Sequence, residues 1–80
     1  MNYQEEMEIA GRVVAATRKL AQAVEGTSVY PFEMLQALHE AKEAFEDALE
    51  IVDENHPLRA QILKYIEDTE CLQRRLIIEM

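Results

Sequence analysis

The sequence predicts an all-α fold, an antiparallel three-helix bundle running up-down-up, with dimerisation into a larger helical bundle as a further expectation. Three observations predict it. Apolar residues recur at 3- and 4-residue spacing along nearly the whole chain. The pattern is broken twice, briefly, and each break ends in a proline, Pro31 or Pro57. The stretches so divided, about 3–25, 31–54 and 57–79, are nearly equal, and at about 1.5 Å per residue each makes a rod of roughly 35 Å that packs beside its neighbour.

The first helix is expected to start at Asn2, which with Glu5 three residues on forms a capping-box-like pattern. Its buried face is expected to comprise Met7, Ala10, Val13, Val14, Thr17, Leu20, Ala21 and Val24. Glu5, Glu8, Arg12 and Lys19 fall on the other side, with Glu8 and Arg12 as an i,i+4 ion pair. Gly26 is expected to stop it, as glycine commonly does just past a helix end.

The break 26–30 leads to Pro31, a good first helical residue because its missing N–H would have no partner there. Glu33 in the first turn suits the helix dipole. Met34, Leu35, Leu38, Ala41, Phe45, Ala48, Leu49 and Val52 form the apolar stripe, which ends at Asp53-Glu54-Asn55-His56. Pro57 is expected to open the third helix as Pro31 opens the second. There Leu58, Ile62, Tyr65, Ile66, Thr69, Leu72, Leu76 and Met80 share a face. Ser28-Val29-Tyr30 is too short to compete as a strand.

At 80 residues the chain makes one small domain. Sixteen acidic residues against 8 basic ones give a net charge of −8, the wrong sign for holding nucleic acid by its phosphates. Val, Ile, Leu and Phe supply enough apolar side chains for a packed core. Cys71 stands alone, so no intrachain disulfide forms, which suits a reducing compartment. No apolar run approaches the roughly 20 residues of a membrane span, and the start lacks a signal peptide's basic and apolar regions. A soluble, cytoplasmic protein is expected.

A domain this small buries only about 60 per cent of its unfolded surface, and small scaffolds often gain a partner. The third helix has more apolar residues than one face can use. Leu58, Ile62, Leu76 and Met80 cluster on one side, Leu63 and Ile77 sit at its edge, and Cys71 and Ile78 lie nearly opposite. These are either scattered surface hydrophobes or a second contact surface. On the second reading Leu63, Cys71, Ile77 and Ile78 carry self-association into a homodimer.

Charge is concentrated in the middle of the chain. Residues 27–56 hold 8 acids and a single base, Lys42, whereas residues 1–26 hold 4 acids and 3 bases and residues 57–80 hold 4 of each. Glu40, Glu43, Asp47, Glu50 and Glu54 recur at alternating spacings of 3 and 4, a ridge opposite Leu38, Phe45 and Val52 and flanked by Glu46 and Asp53. The ridge is either a solvated face that keeps the protein in solution or a docking surface for a basic partner.

The chemistry for catalysis is missing from the pattern. Di-iron bundles use Glu-x-x-His, but Gln36 precedes His39 and Asp53 precedes His56 at that spacing. No calcium loop occurs, and Gly11 and Gly26 make no phosphate-cradling loop. Cys71 lies between Arg75 and the acids Glu67 and Asp68, a mixed field that does not imply an activated thiol. Ser28 has no histidine near it in sequence. Arg74-Arg75 is too small a basic patch for direct nucleic-acid binding, and Arg74 has Glu70 as an intrahelical partner. No enzyme activity, cofactor, metal or membrane contact is expected.

Ala41-x-x-x-Phe45-x-x-Ala48-Leu49, followed by a turn at Pro57, resembles the second helix of a tetratricopeptide repeat. The repeat's preceding short helix is absent and its turn proline falls earlier, so the resemblance implies only an amphipathic helix that alternates small and large residues. The function expected is that of a small acidic, non-enzymatic protein–protein interaction module: a regulator, adaptor or inhibitor. The alternative is an acidic decoy that neutralises a nucleic-acid-binding protein, as antitoxin-like or phage-type inhibitors do.

Overall fold

The computed structural model describes residues 3–25 and 31–79. It is an antiparallel three-helix bundle with α1 at Tyr3–Glu25, α2 at Pro31–Glu50 and α3 at Arg59–Glu79. The expected cap at Asn2, the stop at Gly26, the break 26–30 and the place of Met80 lie outside the described residues. The bundle is elongated, 45 × 19 × 14 Å. Among the described residues, no helix is long and apolar enough to cross a membrane.

The middle helix is the shared one. α1 and α3 each pack along α2 and have little direct contact with each other. The buried residues of α2 show why. Leu38, Ala41, Phe45 and Ala48 are at most 3% exposed, and Val52, just past the helix, is 5% exposed. Their alternating spacing of 3 and 4 is a heptad seam, the pattern that keeps one stripe facing its neighbours in near-parallel packing. At 100° per residue, Ala41, Ala44 and Ala48 lean to one side of Phe45, and Leu49 and Lys42 to the other. The small residues meet α1, because Ala44 borders a hollow shared with Arg12 and Ala15. The larger ones meet α3, where Phe45 stacks on Tyr65 with ring centroids 5.1 Å apart and planes 11° from parallel.

α1 answers with a narrow stripe. Ile9, Ala16 and Ala23, each seven residues from the next, are buried, with Val13 and Leu20 partly buried beside them. The face expected from the sequence was turned too far round the helix: Met7, Val14 and Val24 are 57%, 49% and 55% exposed. A helix that packs on one neighbour buries a narrow seam, not a broad face. In α3, Ile62 and Thr69 are fully buried. The Thr69 hydroxyl donates to the Tyr65 carbonyl at 2.7 Å, which satisfies it inside the core.

α2 ends at Glu50, four residues before the expected limit. There the ladder tightens: the N–H groups of Ile51 and Val52 donate to the carbonyls of Ala48 and Leu49, three residues back. Arg59 reaches back from the start of α3 and donates from Nη1 to the Val52 carbonyl at 3.2 Å, satisfying an end that a longer helix would have satisfied itself. Pro57 therefore sits inside the 51–58 connection, and Arg59 is the first residue of α3. Pro31 is the first residue of α2.

Two substitutions test this packing. A methyl group added at Gly11 meets nothing within 4 Å, so Gly11→Ala should stabilise the protein by about 1 kcal/mol through helix propensity alone. Its thermal midpoint should rise by roughly 4–8 °C. Phe45→Ala removes the ring shared by the α1 and α3 seams and should cost about 3–5 kcal/mol in denaturant unfolding.

Candidate functional site

The acidic ridge is built by the same geometry that builds the core. Glu40, Glu43, Asp47 and Glu50 project from the face of α2 opposite Phe45, and all are exposed. Glu54, expected as the last member of this row, lies in the 51–58 connection beyond the end of α2. The helical ridge is therefore four carboxylates long, about 15 Å from Glu40 to Glu50.

What neutralises these charges is specific to position. Glu43 faces the His39 Nε2 at 2.8 Å, one turn back on the exposed surface. Along the α1 edge, Arg12 is spent elsewhere: Nη2 pairs with Glu8 at 3.0 Å and Nη1 donates to the Asp47 backbone carbonyl at 3.0 Å. Lys42 turns away from the ridge towards α3, where it lies 3.3 Å from Glu70 and 4.0 Å from Glu46. Glu70 also meets Arg74 at 3.6 Å, the intrahelical pair that the sequence suggested. The carboxylates of Glu40, Asp47 and Glu50 meet no cation among the described residues.

The expected association residues Leu63, Cys71, Ile77 and Ile78 are all exposed on α3, and Cys71 is a free thiol. Cys71 and Ile78 lie two turns apart on one side of α3. Leu63 and Ile77 are about 21 Å apart along the helix, and Glu67, Glu70 and Arg74 occupy the same side between them. Further exposed apolar side chains occur towards the end of the bundle where α1 finishes, α2 begins and α3 finishes. Val24, Phe32, Ile77 and Ile78 are 55%, 72%, 59% and 82% exposed there. At this end a groove of about 260 Å³ opens, lined by Ala23, Val24, Met34, Leu38, Leu72 and Leu76, with Arg75 and Glu79. The signal missed in the sequence was convergence: these residues come from three helices, and no single helical pattern gathers them.

The opposite end is closed by a histidine. His56, 7% exposed, sits in the 51–58 connection beneath α1. Its Nδ1 accepts the Leu58 N–H at 3.0 Å, and its Nε2 lies 3.2 and 3.4 Å from the two carboxylate oxygens of Glu6 on α1. His39, by contrast, is the surface histidine expected from its polar side of α2.

Among the described residues, no group of three or more His, Cys, Asp or Glu is arranged to hold a metal ion. Comparison with protein-family models, curated proteins and solved structures finds no match.

Proposed function

We propose that the protein is a small non-enzymatic interaction module that presents the acidic face of α2 to a basic protein surface. The observation that supports this reading is the unequal use of cations. Lys42, the one base of the middle segment, pairs off the ridge with Glu70, and Arg12 pairs with Glu8 and reaches only the backbone carbonyl of Asp47, so the carboxylates of Glu40, Asp47 and Glu50 remain available. Rows of like charge one turn apart cost helix stability, a few tenths of a kcal/mol per pair, and a basic partner relieves that repulsion on docking. Binding to such a surface gains association rate and selectivity from complementary charge. Glu43→Lys, Asp47→Lys and Glu50→Lys combined should leave helicity intact and abolish capture of a salt-sensitive basic partner from native extract. Capture of that same partner by the variant contradicts the proposal. The decoy reading differs in demanding that the captured protein bind nucleic acid and lose it on binding this chain.

Self-association belongs to the same proposal. A second copy meets least repulsion at α3, since residues 57–80 carry as many bases as acids while α2 holds most of the net charge. Cys71, Ile77 and Ile78 towards the end of α3 supply the contact, with Leu63 further along the same helix. Light scattering at tens of micromolar should give the dimer mass, and Ile77→Glu with Ile78→Glu should give the monomer. A wild-type monomer at that concentration refutes the dimer.

A further inference from the structure

We propose that His56 is a pH-operated latch, which on protonation exchanges its hold on the start of α3 for a stronger hold on α1. In the neutral ring, Nδ1 must be bare to accept the Leu58 N–H at 3.0 Å, so the hydrogen resides on Nε2 and points at Glu6. Both nitrogens are thereby committed, each to a different part of the fold. Leu58 N–H is one of the donors at a helix entrance that have no intrahelical acceptor. The His56 ring stands in for the usual capping side chain, while its own carbonyl accepts the Arg59 N–H at 3.1 Å.

A proton added at Nδ1 sets two N–H groups against each other, and the Leu58 contact has to open. The same proton turns the Nε2 contact with Glu6 into a charge-assisted one. The protein therefore does not merely weaken at this end; it transfers the histidine's allegiance from α3 to α1. The side chain is only 3% exposed, and the charged groups around it come from α1, the connection and α3. Glu6 faces the ring from α1, and Glu5 and Glu8 of α1 line a neighbouring hollow with Asp53 of the connection. The opposing charge is Arg59 of α3, whose guanidinium is directed to the Val52 carbonyl. His39 belongs to an exposed pair on α2 and takes no part.

The experiment is a titration of the wild-type protein from about pH 8 to about pH 5, the interval in which histidine changes charge. Nitrogen NMR of the ring and amide exchange at Leu58, corrected for the intrinsic effect of pH, are followed together. At the alkaline end Nδ1 should be unprotonated and Nε2 protonated. As the ring gains its second proton, protection of the Leu58 amide should fall on the order of fivefold, the size of a lost cap. His56→Asn, whose amide oxygen can cap without titrating, should hold that protection constant. The proposal is overturned by a hydrogen on Nδ1 at the alkaline end, by a ring that stays neutral throughout, or by Leu58 protection that does not change as the ring titrates.

Discussion

The structure depends on the seam of α2. Among the described residues, Leu38, Ala41, Phe45, Ala48 and Val52 are the row that both other helices share, and α1 and α3 scarcely touch except through it. Small residues on one flank let α1 approach closely, and Phe45 on the other provides the stacked contact with α3. Neither outer helix has a second partner of comparable extent. Each buries a narrow seam and leaves some of its apolar residues exposed, such as Met7 and Val14 of α1 and Leu63 and Ile78 of α3. An 80-residue chain with no disulfide has little beyond this row to order it.

The same constraint sorts the charge. A central helix with neighbours on both flanks keeps only its far side for solvent, and that side is where the carboxylates stand. Lys42 sits on the flank that meets α3, and it answers Glu70 there. Lys42 is thus drawn to a seam, and among the described residues the carboxylates of Glu40, Asp47 and Glu50 meet no cation. The two ends of the bundle differ for a similar reason. At one, the connection from α2 to α3 folds back under α1 and His56 locks to Glu6. At the other, α1 and α3 part over Met34 and Leu38 and leave the apolar groove.

Much of this was legible in the sequence, where each residue's role depends on its own helix. The α2 and α3 faces follow from their spacing, because each is anchored by large side chains with one outcome: Leu38 and Phe45 in α2, Ile62 in α3. The α1 face was misplaced because valines and alanines surround that helix, and only contact with α2 selects Ile9, Ala16 and Ala23 from among them. The end of α2 was placed too late because Ile51 and Val52 continue the apolar pattern past the point where Arg59 takes over the Val52 carbonyl. The four helical members of the ridge were visible as a local period, and Glu54 was lost with the shorter helix. His56 was unreadable: its partner Glu6 lies 50 residues away, and nothing local distinguishes it from the exposed His39.

The most direct test of α2 as the shared support is native-state amide exchange across the whole chain. The slowest amides should be those of residues 41–50, exchanging only through global unfolding, with α1 and α3 opening at lower free energy on either side. Slowest exchange in α1 or α3, with α2 opening first, would contradict the account.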